Sequence, residues 1–124
     1  MEIEVAIADD HFIFKQGIEA LLTYIPGMKL VIKASNGSDL LNSIKSKPPD
    51  VILLDLRMPV MDGLSTLFVL NKQYPQIKVI VLTLSEDHLE IKKALKTGAV
   101  ASLSKNSSPE ILIRTIRECL NTAV

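Results

Sequence analysis

The chain has 124 residues, with 14 basic and 14 acidic side chains and a formal net charge of zero. That is the length of one average domain, and the balanced charge excludes both a body that grips nucleic acid by bulk positive charge and an acidic disordered tail. Apolar residues make up 48% of the sequence, enough for a core. With no Trp, three Phe and two Tyr, aromatic platforms for single-stranded nucleic acid are not expected. The single cysteine, Cys119, excludes an internal disulfide and a cysteine-cluster metal site, and fits a reduced, cytoplasmic setting. The start, Met1-Glu2-Ile3-Glu4, does not read as a signal peptide. The pure apolar runs, such as Val51–Leu54, are four residues long, whereas a membrane span needs about 20.

In chain order, short β-branched runs at Ile3–Ala8, Leu30–Ala34, Val51–Leu54, Val79–Thr83 and Ala101–Leu103 predict five strands. Several are apolar on both faces, as in a buried parallel sheet. Helical spacing separates them. Phe14, Ile18, Leu21, Leu22 and Ile25 share a face of a first helix that Pro26-Gly27 stops. Leu40, Leu41 and Ile44 mark a second, with Ser38 as its expected N-cap and Pro48-Pro49 as its stop. Leu64, Leu67, Phe68 and Leu70 to about Tyr74 make a third, ended by Pro75. Leu89, Ile91, Ala94 and Leu95 make a fourth, with Gly98 in C-cap position. Ser108-Pro109-Glu110 starts a fifth, a capping hydroxyl followed by proline in the first turn and an acid near the positive end of the helix dipole. It carries Ile111, Leu112, Ile116 and Leu120. Five βα units in strict alternation predict an α/β fold, a doubly wound five-stranded parallel sheet with helices on both faces, in a single domain spanning 1–124.

Ligands of such sheets bind beyond the carboxyl ends of the strands. Those ends carry Asp9-Asp10, Asp55, Thr83 and, after the fifth strand, Lys105, whereas Ser35-Asn36-Gly37 after the second reads as a plain turn. Three carboxylates in one crevice repel one another unless a cation sits among them, and an oxygen-only set suits Mg²⁺. A carboxylate is also a nucleophile that forms an aspartyl-phosphate, with Lys105 supplying charge and Thr83 a hydroxyl donor. Taken singly, the acid pair reads equally well as a helix cap, Thr83 as a strand residue and Lys105 as a solvated charge. Their coincidence at four strand ends favours a phosphoryl site. His11 and His88 read as surface or helix-start residues without a ligand partner, and Cys119 as an inert packing residue.

These residues resemble a family. Asp9-Asp10, the stretch Leu54-Asp55-Leu56-Arg57-Met58-Pro59-Val60-Met61-Asp62-Gly63, Leu82-Thr83, Gly98-Ala99 and Lys105 are similar to the receiver domain of bacterial two-component response regulators over essentially the whole chain. Asp9-Asp10-His11 followed by Lys15-Gln16-Gly17, and Lys105-Asn106-Ser107-Ser108-Pro109-Glu110, resemble its NarL/FixJ subfamily, whose members usually carry a LuxR-type helix-turn-helix domain after the receiver. The resemblance implies the flavodoxin-like receiver fold with strand order 2-1-3-4-5. It implies phosphate transfer to Asp55 from a histidine kinase, and Mg²⁺ held by Asp9, Asp10, Asp55 and the Arg57 carbonyl. Lys105 would pair with the phosphoryl group and Thr83 would close onto it as the switch. DNA would be reached only through an output domain beyond this chain. Pairing of two copies on phosphorylation is a further expectation, and a membrane partner is not expected. The reading is of a regulatory switch rather than a turnover enzyme.

Two positions depart from the family. Ser102 stands where an aromatic residue is frequent, so the usual coupling of threonine to a moving ring is not expected. Leu84 stands where a small residue is frequent, and should crowd the phosphoryl group. The alternative is a stand-alone relay or protein-binding switch. A haloacid-dehalogenase-type phosphatase would want an acid at Arg57. A flavin protein would want a phosphate cradle where Asp9-Asp10 repels phosphate.

Overall fold

The computed structural model describes residues 2–84 and 88–121. In order, the elements are β1 Ile3–Ala8, α1 Phe12–Thr23, β2 Met28–Ala34, α2 Gly37–Ser43, β3 Val51–Asp55, α3 Gly63–Gln73, β4 Lys78–Thr83, α4 His88–Thr97, β5 Ala101–Ser104 and α5 Pro109–Asn121. The strands form one parallel sheet in the order β2-β1-β3-β4-β5.

Alternation along the central strands divides the core in two. Val5, Ile7, Val51, Leu53, Ile80 and Leu82 point to one face, where Ile18 and Leu22 of α1 and Leu112, Ile113, Ile116 and Cys119 of α5 cover them. Ala6, Ala8, Ile52, Leu54, Val79 and Val81 point to the other, under Leu40 of α2, Leu67 and Leu70 of α3 and Ala94 of α4. Because both faces are covered, the strands read as continuous apolar runs rather than as alternation. Cys119 is buried there, its thiol donating to the Ile116 carbonyl oxygen at 3.1 Å. Burial pushes the thiol pKa up, as expected of a packing residue.

The helix termini correct three expectations. Asn36, not Ser38, caps α2: its side-chain oxygen accepts the Asp39 N–H at 2.9 Å, because the helix begins earlier than the Ser38 hydroxyl suggested. The helix also ends at Ser43, well before Pro48-Pro49. Beyond the buried Ile44 the chain offers only exposed Lys45, Ser46 and Lys47, so further turns would bury nothing. Likewise α1 closes at Thr23, ahead of Pro26. Other caps match the sequence reading. The Ser108 hydroxyl accepts the Ile111 N–H at 3.3 Å. Gly98, with φ +130°, closes α4 by donating to Ala94 and Leu95, a conformation that favours glycine.

Candidate functional site

The parallel order brings the carboxyl ends of β1, β3, β4 and β5 to one edge. Asp9 is fully buried and Asp55 nearly so, while Asp10 is exposed. Between the two buried acids lies the Lys105 ammonium, 2.6 Å from Asp9 Oδ2 and 3.1 Å from Asp55 Oδ2, on a side chain only 4% exposed. It also stands 5.1 Å from the centre of the Phe14 ring, a cation–π approach. Asp55 Oδ1 accepts the Arg57 N–H at 3.1 Å. The Arg57 guanidinium turns outward to Glu90 of α4, at 3.0 Å. The Thr83 carbonyl accepts the Lys105 N–H at 2.9 Å, so the switch candidate and the lysine are tied through the backbone. Ser102 lies opposite Val81 in the β4–β5 pairing, half-buried.

His11 departs from the reading of it as an unpartnered residue. It does sit at a helix start, as the N-cap residue of α1, and its side chain makes no capping bond. Its ring instead enters the acid cluster: Nδ1 lies 2.9 Å from Asp9 Oδ1, 3.6 Å from Asp10 Oδ1 and 3.9 Å from Asp55 Oδ2, and 2.9 Å from Lys105 Nζ. No spacing rule announces this, since the partners converge only in the folded sheet. His88 opens α4 as expected. Sequence reasoning also misses Lys15 as a buried group. It shares the inward stripe of Ile18 and Leu22, and its ammonium donates to Ser35 Oγ at 2.7 Å and to the Ala34 carbonyl at 3.5 Å. The same carbonyl accepts the Asp9 N–H. Lys15 thus ties α1 to the strand end beside the acid pair, a role its i, i+3, i+7 spacing to Ile18 and Leu22 hinted at.

Burial raises the Asp55 carboxyl above its ordinary pKa of 3.8, opposed by the Arg57 N–H and the Lys105 ammonium and reinforced by the Asp9 charge. A raised pKa means that the folded protein disfavours the ionised form. Asp55 therefore costs no stability below its unfolded pKa and costs stability as pH rises through its folded pKa. Asp55→Asn is expected to raise the urea midpoint at pH 7 in chelator-treated buffer, with the gain vanishing on acidification toward the ordinary carboxylate value. A variant midpoint at or below wild type at pH 7 would contradict this.

Ligand atoms of Asp9, Asp10, His11 and Asp55 all lie within 4.8 Å of one another. Asp9 Oδ2 is buried and has no hydrogen bond. The nearby Lys105 ammonium makes a close ion pair with it but not one of hydrogen-bond geometry. A buried carboxylate oxygen in that state has acceptor capacity left for a cation. The oxygen-rich donor set fits a hard divalent ion such as Mg²⁺.

The doubly wound sheet thus gathers a buried aspartate at the β3 end, an acid pair after β1 and a lysine after β5 into one charged cluster at the sheet edge. The chain belongs to the response regulator receiver domain family, whose profile matches residues 5–117. It is 36% identical over 92% of its length to the nitrate/nitrite response regulator protein NarP of Escherichia coli K12, covering 53% of that protein. It is 32% identical over 94% of its length to the transcriptional regulatory protein DegU of Brevibacillus brevis, covering 49% of it. The receiver domain of the response regulator NarL of Mycobacterium tuberculosis superposes with a TM-score of 0.90 at 29% identity, over 98% of both chains. The molecule is a receiver domain of the NarL type. It spans about half the length of the curated relatives it matches. Among the described residues, no helix is long and apolar enough to cross a membrane.

Proposed function

We propose that this domain is the phosphoacceptor of a two-component pathway and that Asp55 receives the phosphoryl group from a histidine kinase. The observation that carries the reading is the Asp55 carboxylate, buried at a strand end with the Lys105 ammonium 3.1 Å from Oδ2. Asp55 attacks phosphorus, the P–N bond to the donor imidazole breaks with its electron pair going to nitrogen, and an acyl phosphate forms. Lys105 remains beside the transferred group and neutralises its added charge. The Thr83 hydroxyl, at the end of the adjacent strand, donates to a phosphoryl oxygen. Asp9, Asp10, Asp55 and the Arg57 carbonyl would hold Mg²⁺, which supplies Lewis-acid neutralisation of the phosphoryl oxygens.

Phosphorylation adds charge and strong acceptors at the cluster. With Ser102 in place of a ring, the β4–α4 segment that follows Thr83 carries the change outward, with exposed Leu84 at its start. Residues 85–87, which complete that segment, lie outside the described residues. Output is through a DNA-binding domain following this chain in a cytoplasmic transcription regulator, with pairing of phosphorylated copies. The naming of several relatives about twice its length as transcriptional regulatory proteins supports this. The test is incubation with acetyl phosphate and Mg²⁺ followed by intact-mass measurement. One phosphoryl group is expected on the wild type and none on Asp55→Asn. Equal uptake at an equal rate by that variant would overturn the assignment.

A further inference from the structure

The ring of His11 meets two incompatible neighbours. Asp9 Oδ1, 2.9 Å from Nδ1, only accepts, and the Lys105 ammonium, also 2.9 Å from Nδ1, only donates. One ring nitrogen cannot both donate to the first and accept from the second. With the proton on Nε2, the Nδ1 lone pair faces the carboxylate oxygen, and a cation between or beside them is what makes the pair favourable. In that tautomer the Lys105 ammonium fills the role, with Asp9, Asp55 and His11 around it. The separation also suits a metal. Adjacent ligands of a six-coordinate ion bound at short octahedral distances stand roughly 2.9 Å apart, the spacing observed between Asp9 Oδ1 and His11 Nδ1. The ring is not used elsewhere in the helix cap.

We propose that His11 is a protein ligand of this site and gives it a mixed carboxylate–imidazole donor set, selective for divalent transition ions that accept an imidazole nitrogen over Mg²⁺. The inference rests on the reading of the cluster as a divalent-metal site. Imidazole adds little for Mg²⁺, a hard ion that retains water, and much for zinc-like ions. His11 therefore sets the ratio of the two affinities, whereas Asp10 supports both.

The test uses Zn²⁺ and Mg²⁺ separately, with binding measured by calorimetry on the wild type, His11→Ala, His11→Gln and Asp10→Ala, and ¹⁵N NMR of the His11 ring. His11 is half-exposed, so its variants are expected to keep the fold. Both His11 variants are expected to lose at least about tenfold in Zn²⁺ affinity while Mg²⁺ affinity stays within about twofold. The Nδ1 resonance of the wild type should shift far more on Zn²⁺ addition than on Mg²⁺ addition. Asp10→Ala should weaken both ions. An unchanged Zn²⁺ to Mg²⁺ ratio in the His11 variants, or a silent Nδ1 with Zn²⁺ bound, would overturn the proposal while leaving the metal site standing. Absence of Mg²⁺ binding by the wild type would overturn the underlying reading as well.

Discussion

Gly63→Ala is expected to lower stability by about 3 kcal/mol or more. Gly63 opens α3 and donates its N–H to the Leu56 carbonyl at 3.1 Å. A methyl group there would strike the Asp55 carbonyl oxygen and stand 2.6 Å from Leu56 Cα. Both obstacles are backbone, so no side chain can rotate to make room. Relief requires moving the β3 end itself, and the displacement passes directly to Asp55. The expected result is a large fall in the urea midpoint together with altered amide shifts at Asp55 and Arg57. Gly17→Ala is the control. Gly17 lies inside α1, and a methyl group added to it would meet nothing within 4 Å, so alanine should stabilise by about 1 kcal/mol through helix propensity. A Gly63→Ala midpoint close to wild type would show that the β3–α3 junction is looser than this packing describes.

Lys105→Met is expected to make the stability of the domain depend on divalent ions. The ammonium compensates two buried carboxylates, at 2.6 Å and 3.1 Å. Removing one partner of a buried ion pair costs about 3–5 kcal/mol, because the remaining charge is left uncompensated. In chelator-treated buffer the variant should lose about that much. Added Mg²⁺ should then restore more to the variant than to the wild type, since the metal and the lysine neutralise the same carboxylates. A ligand at roughly 100 times its dissociation constant stabilises by about 2.7 kcal/mol, so the difference is measurable in urea melts at fixed Mg²⁺. Asp55→Asn added to Lys105→Met should recover part of the loss, because one of the uncompensated charges is gone. Equal Mg²⁺ increments in wild type and variant would refute the competition between lysine and metal.

Much of this molecule was legible in its sequence. The runs Val51–Leu54 and Val79–Thr83 are apolar on both faces because helices cover both sides of the sheet, and that burial is written into composition rather than periodicity. Strict βα alternation forces parallel strands, and parallel strands send their carboxyl ends to one edge. Asp9, Asp10, Asp55, Thr83 and Lys105 could therefore be grouped by their place at strand ends. Local chemistry also marked the α5 cap at Ser108 and the α4 terminus at Gly98, since each depends on residues a few positions away.

What only the tertiary structure decided involves groups whose partners are remote. His11 lies 94 positions from Lys105, and its ring orientation follows from charges that meet after the sheet has formed. Lys15 is buried because α1 lays it over the end of β2, where Ser35 and Ala34 receive it; the helical stripe alone favours an apolar residue there. Asn36 rather than Ser38 caps α2, and the Gly37 N–H that follows it is satisfied from outside the helix, by the Met61 carbonyl at 3.1 Å. The sequence by itself determined the layers, the strand ends and the residues gathered there. The tertiary structure decided which charge neutralises which, because that depends on distances of a few ångströms between atoms the chain brings together only at the end of folding.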